Sequence, residues 1–243
     1  MTVARVDEVP DPDRDGYWLL PHWNGPHLHA GLAGPPHDLR LRERSADQVA
    51  KAWASMLQGL PGLQSLIVSP QVHGTTILVQ STNEPGWHVG AEADGHLIET
   101  PGVGLAVTVA DCVPVYLQHP GSGWVGLLHA GWRGVADGIL PAALARLAAV
   151  GIPAREVVIH CGISICKACY EVSSEVFEVV TGHPIDRPAP VDLRTILAQQ
   201  AEESGASTIT LSGLCSAEEG FYSHRGSRGA PERMAAFVGR RLA

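Results

Sequence analysis

Between residues 66 and 128 six short apolar runs follow in close succession, with one longer interval at 81–94: 66–69, 75–80, 95–98, 103–109, 113–117 and 124–128. They are rich in aliphatic and β-branched residues and bounded by Gly, Pro or Asn, the pattern of strands rather than of amphipathic helices. So many apolar strands in so short a span need a common buried sheet. Helical signals flank them. Ser45-Ala-Asp-Gln48 has the form of a capping box and opens a helix to about Leu57, closed by Gly59 and Pro61. Residues 135–150 read as a helix ended by Gly151, with Pro141 either kinking it or marking its true first turn. A strand returns at 157–159. Residues 174–180, 192–204 and 231–242 read as three more helices, Asp192 capping the second and Pro231 opening the third. The expected fold is α/β, one domain of layered mixed β-sheet flanked by helices. Residues 1–45 and the Pro-rich piece 181–191 are the expected irregular segments.

With 243 residues and 45% hydrophobic content, such a chain buries roughly 70–75% of its unfolded surface. It has no run of about 18 apolar residues that would span a bilayer. Its first residues lack the basic start and apolar core of a signal peptide. A soluble cytoplasmic protein without a membrane partner is expected, a monomer by default. Five cysteines, an odd number, argue for free thiols or metal ligands rather than a disulfide framework. The net charge of −8, from 17 basic and 25 acidic residues, excludes a general affinity for nucleic acid. An anionic substrate would need a local arginine cluster.

Cys112 stands between His73, in Gln71-Val-His-Gly74, and His129, in His129-Ala-Gly-Trp-Arg-Gly134. Each lies where a strand-like run meets a Gly-containing turn. Imidazole and thiolate are ligands that zinc prefers, and three protein donors leave a fourth position open for water or substrate, as in a catalytic site. Taken singly, each residue has a duller reading: a hydrogen-bonded histidine, or a small buried cysteine.

Five strings in order carry a resemblance: Gln71-Val-His-Gly74, Ala110-Asp-Cys-Val-Pro-Val115, His129-Ala-Gly-Trp-Arg-Gly134, Cys169-Tyr-Glu-Val172 and Phe221-Tyr-Ser-His-Arg225. Over roughly residues 60–240 the chain resembles the YfiH/laccase-domain family, long labelled multicopper polyphenol oxidase and now associated with purine nucleoside phosphorylase and adenosine deaminase activity. The resemblance implies a YfiH-like fold, purine nucleosides and phosphate as substrates, and a metal, usually zinc, held by His73, Cys112 and His129. Such a zinc polarises substrate oxygens and lowers the pKa of bound water toward ~7. Phosphorolysis also needs a phosphate clamp. Arg133, at an expected strand-to-helix turn, is the first candidate and Arg225 the second. Asp111 is the candidate for proton transfer or for orienting a ligand imidazole, with Glu171 behind it. Asp111 capping a turn and Arg133 pairing with a carboxylate are the structural alternatives. The chain departs from the family at Asp38-Leu-Arg-Leu41, where Ser-Leu-Asn-Leu is usual, and at His224-Arg225-Gly226, where Tyr-Arg-Arg is usual. At those strings the substrate contacts are the part of the resemblance that the residues support least.

Two other readings stay open. A copper oxidase of phenols would need several His-x-His pairs, and His27-Leu-His29 is the single one present. A cysteine hydrolase or peptidoglycan-editing factor would use Cys112 as nucleophile, activated by His129. The usual zinc deaminase signature, His-x-Glu with a later Pro-Cys-x-x-Cys, is absent. Cys161, Cys166 and Cys169, with Cys215, allow a structural zinc site, a redox dithiol or ordinary free thiols. Their spacing offers only one close pair, whereas a four-thiolate site normally uses two. His22, His27, His29 and His37 lie in a Gly/Pro-rich stretch without ligand spacing.

Overall fold

A computed structural model of the chain describes residues 2–82, 84–227, 229 and 231–242. In chain order its strands are β1 (Thr2–Arg5), β2 (Val9–Pro10), β3 (Tyr17–Leu19), β4 (Leu28–Ala33), β5 (Ser65–Val68), β6 (Ile77–Val79), β7 (Gly86–Val89) and β8 (Gly95–Ile98). They continue as β9 (Val103–Val109), β10 (Val113–Gln118), β11 (Val125–Ala130), β12 (Val158–Cys161), β13 (Glu171–Val172), β14 (Ala189–Pro190), β15 (Thr208–Leu211) and β16 (Met234–Arg240). The α-helices are α1 (Ala46–Gln58), α2 (Trp132–Ala136), α3 (Ile139–Ala149), α4 (Ser174–Thr181) and α5 (Leu193–Glu203).

The strands form two mixed seven-stranded sheets, ordered β1-β15-β12-β10-β11-β8-β6 and β2-β3-β4-β16-β9-β5-β7, and the small ribbon β13-β14. Side-chain alternation along each strand builds the layers. Tyr116, Val125 and Leu127 of the first sheet meet Leu105, Val107, Ala236 and Val238 of the second in a core between the sheets. From the opposite face of the first sheet Val115, Leu117, Leu128 and Ile159 pack on α3 and α5. From the outer face of the second, Leu66, Val68, Ala106 and Phe237 pack on Val49, Trp53 and Met56 of α1. The result is a helix–sheet–sheet–helix stack, so the expected α/β class holds, with two large sheets where one was expected.

Local chemistry explains several helix ends. Ser45 and Gln48 make the reciprocal capping box at α1, and Asp192 caps α5. The helix expected over 135–150 is two: Gly138, left-handed at φ 80°, separates α2 from α3, and Pro141 lies in the first turn of α3. Two expectations fail. Residues 231–242 are not a helix, because β16 runs through them between β4 and β9. A strand buried on both faces shows no polar alternation, and Met-Ala-Ala favours a helix locally, so tertiary burial overrides propensity. The first 45 residues are not irregular either. They supply β1 to β4, with Gly31 meeting Phe237 across the β4–β16 ladder. Among the described residues no helix is long and apolar enough to cross a membrane.

His29 of β4 sits edge-on to the Phe237 ring at 5.2 Å. Burial, with Arg241 and Arg14 nearby, pulls its pKa from the ordinary 6.5 down to about 3. A lowered histidine pKa means that the unfolded chain takes up a proton between those values which the native chain refuses, so stability is full above 6.5 and falls on acidification. Urea midpoints measured across that range should fall with pH, and His29→Gln should remove part of the fall. An unaltered slope in the variant would place the titration elsewhere.

Candidate metal and substrate site

The register of the first sheet brings the three proposed donors to one edge of it. In the antiparallel β10–β11 pair Pro114 faces His129, so Cys112, just before β10, meets the end of β11. In the β8–β11 pair Gly95 faces Leu128, which sets Asp94, just before β8, beside His129. The His73 turn precedes β6, which lies along β8. The His73 and His129 nitrogens and the Cys112 sulfur all lie within 4.8 Å of one another. The two imidazoles are edge-on, 4.8 Å between ring centroids. Zinc–nitrogen bonds near 2.0–2.1 Å and zinc–sulfur bonds near 2.3 Å place tetrahedral donors roughly 3.3–3.7 Å apart, so these side chains need only close slightly on a cation. Gly131 makes room for this approach, since a Cβ there would lie 2.9 Å from His73 Cδ2 and 3.1 Å from Cys112 Sγ.

The group that organises these donors is Asp94, fully buried. Its carboxylate accepts the backbone N–H of Val72 at 3.1 Å, His73 at 2.9 Å and Gly74 at 2.8 Å. It also bonds His129 Nδ1 at 2.9 Å. His73 is held in the left-handed region at φ 60° by those bonds. With Nδ1 engaged, Nε2 is the His129 nitrogen left for the thiol or a cation. Burial pushes the Asp94 carboxyl up, but the His129 bond and the N–H donors outweigh it and hold it below the ordinary carboxylate range. Burial likewise opposes ionisation of Cys112, yet the neighbouring imidazoles of His129 and His73 hold its thiol below the ordinary thiol range. Against burial, the Cys112 thiolate and Asp94 raise His129. Gln71 fastens the same turn to the second sheet, accepting from Thr108 N and Oγ1 and donating to Thr108 O, each at 2.8 Å.

The sequence offered no direct signal for Asp94, whose Ala93-Asp94-Gly95 setting reads as an ordinary turn. Asp111 does not orient the imidazole. It stands in the left-handed region at φ 94°, and its carboxylate accepts from Ser216 Oγ at 2.7 Å, Ser223 Oγ at 2.6 Å and Arg225 N at 2.6 Å. Two distant loops are thereby fastened behind Cys112. Arg225 Nη1 also donates to the Glu171 carbonyl at 2.9 Å, and its guanidinium lies 5.2 Å from the Tyr170 ring centroid. Arg133 lies over the Trp132 ring at 4.1 Å. Its helix α2 is only five residues long. Glu171 is exposed on β13 and does not line the cavity, because strand alternation turns Tyr170 inward instead.

A cavity of about 490 Å³ opens over the donors, lined in part by Cys112, His73, His129, Trp132 and Tyr170. Arg133 and Arg225 line it too, joined by Arg40, Arg42 and Arg233, which sequence reading did not nominate. Both strings that depart from the family, at Arg40-Leu41 and at His224-Arg225, lie on this wall. If Asp94 sets the donors as its bonds indicate, Asp94→Asn should weaken any binding of an added divalent cation, with zinc as the probe, about 10- to 100-fold in competition with a chromophoric chelator. Equal affinity in the variant would leave Asp94 a purely structural part.

A family model described as "Multi-copper polyphenol oxidoreductase laccase" matches residues 39–241. A protein of Deinococcus radiodurans named purine nucleoside phosphorylase is 31% identical over 217 residues, 85% of this chain and 84% of that protein. The purine nucleoside phosphorylase YlmD of Geobacillus stearothermophilus is 34% identical over 203 residues, 74% of this chain and 73% of YlmD. The crystal structure of YlmD from that organism superposes with a TM-score of 0.86 at 26% identity, covering 98% of this chain and 100% of that one. The hypothetical protein YfiH of Bacillus licheniformis superposes at 0.84 with 24% identity, covering 94% and 98%, a likeness of fold. With most of its length matched and its two-sheet fold shared, the chain belongs to the laccase-domain family of YfiH and YlmD.

Proposed function

We propose that the chain is a metal-dependent purine nucleoside phosphorylase, a single-domain, monomeric, cytoplasmic enzyme acting on adenosine, inosine, guanosine or methylthioadenosine. One observation carries the reading: the arginine-lined cavity lies directly over the His73, Cys112 and His129 donors in a chain of net charge −8. The relatives named purine nucleoside phosphorylase support it. A local cationic wall in an acidic protein is how a dianion is gathered and held. Its size suits a nucleoside with phosphate beside it.

In phosphorolysis a phosphate oxygen bonds to C1′ of the ribose while the C1′–N bond breaks. Its electrons leave with the purine, which takes up a proton. Arg133 and Arg225 clamp the phosphate against C1′, supplying position and charge rather than covalent chemistry. Tyr170 on the cavity wall carries its hydroxyl proton at neutral pH, as an ordinary phenol does, and is a hydrogen-bond donor within reach of the substrate space. Thiolate and imidazole donors suit zinc, which when bound supplies Lewis acidity toward a substrate oxygen.

Deamination of adenosine at this site has weaker support. It needs a carboxylate to shuttle a proton. Among the described cavity-lining residues the acids are Glu43 and Asp111, and Asp111 already accepts three hydrogen bonds. A multicopper oxidase needs further histidine clusters. Among the described residues the second metal-capable group contains cysteines alone. A cysteine hydrolase is the reading favoured next, since the Cys112–His129 pairing would also activate a nucleophile.

Incubation of the nucleosides with and without phosphate, read by chromatography, should release free base only with phosphate. Phosphate-independent product would end the phosphorylase reading. Cys112→Ala should lose bound metal and at least about a hundredfold in kcat/KM while remaining folded. Full activity in that variant would refute the thiolate as ligand, and lost activity with metal retained would favour the hydrolase. Arg133→Ala should raise the phosphate KM about 10- to 100-fold, the loss of one charge-assisted hydrogen bond. An unchanged phosphate KM removes that arginine from the clamp.

A further inference from the structure

A second convergence of soft donors lies behind the cavity wall. Cys166 and Cys169, a close pair, and Cys215, 46 residues further along the chain, place their sulfur atoms within 4.8 Å of one another. Cys161, the fourth sulfur considered for a structural zinc site, is buried elsewhere in the core between β12 and the helices. We propose that Cys166, Cys169 and Cys215 form a second, thiolate-only site for a thiophilic cation such as zinc, separate from the His73–Cys112–His129 site.

Three features of the backbone support it. Cys166 and Cys169 bracket a single 3-10 turn over Lys167–Cys169, closed by Cys169 N donating to Cys166 O at 3.0 Å, which puts both sulfurs on one side of the turn. Cys215 is brought opposite by its bridge to Ser164 and by Ser216 N donating to Ser164 O at 3.1 Å. The N–H of Cys166 already donates to Cys215 Sγ at 3.2 Å, the kind of bond that stabilises a metal-bound thiolate. Binding releases the thiol protons to solvent as the sulfur–metal bonds form, and no electron moves. Thiolates select zinc, copper(I) and related ions over harder cations, and the exposure of Cys169 leaves a route for entry.

The site is joined to the cavity. Ile165 and Tyr170, each next to a cluster cysteine, line it, and Ser216, next to Cys215, holds Asp111 at 2.7 Å. A cation here would clamp the 164–170 and 215–216 segments together and stiffen that wall.

Cadmium titration of the reduced, chelator-stripped full chain tests this, read by sulfur-to-cadmium charge-transfer absorbance. In Cys112→Ala, which disables the first site, one equivalent should still bind with thiolate absorbance. Adding Cys169→Ser, at an exposed position that leaves the core untouched, should weaken that binding at least about tenfold. In the wild-type chain zinc should slow alkylation of Cys169 by iodoacetamide about tenfold, and a chelator should restore it. The proposal is overturned if Cys112→Ala binds no cadmium, or if zinc leaves the Cys169 alkylation rate unchanged. It is overturned equally if anaerobically purified protein lacks two hydrogens by intact mass, which would make the cluster a redox dithiol. None of these readouts depends on nucleoside turnover, so failure here leaves the phosphorylase reading standing.

Discussion

The buried carboxylate of Asp94 is the interaction on which the site depends. A carboxylate with no water around it must be fully hydrogen-bonded, and here the Val72, His73 and Gly74 N–H groups and the His129 ring supply the partners. The same bonds hold His73 in a left-handed turn that a non-glycine residue adopts only at a cost. They also point the remaining His129 nitrogen at Cys112. One side chain thus satisfies itself, a strained turn and a tautomer together.

Around it, the two sheets act as a frame whose ends meet. The sheet carrying Asp94, His129 and Cys112 is tied to the other through Gln71 and Thr108, so the donor cluster sits at a joint between layers rather than on one of them. Asp111 fastens the opposite side of the joint by drawing in Ser216, Ser223 and Arg225. The cavity wall is therefore assembled from segments distant in the chain.

That assembly decides what was legible beforehand. The strands over 103–109 and 95–98 stand where alternating or continuous apolar runs place them, and the caps at Ser45 and Asp192 announce themselves by local chemistry. The donor trio is readable because imidazole and thiol occur at strand ends in unusual strings. Asp94 is not, because its meaning comes wholly from the partners that folding brings to it. Nor are Arg40, Arg42 and Arg233, three of many surface-type arginines until the fold brings them to the cavity that Arg133 also lines. The strand at Met234–Arg240 hides for a different reason: covered on both faces, it has no periodicity to show.

The position of that strand also bears on how the molecule is made. β16 fills the slot between β4 and β9, pairing Arg240 with Leu28 across most of the chain. A chain emerging from the ribosome presents β4 and β9 with bare edges facing each other until their shared neighbour arrives, so this sheet closes after synthesis has passed all its other members. Pairings of such long sequence separation make for slow closure and a nascent state that invites strand exchange with other chains.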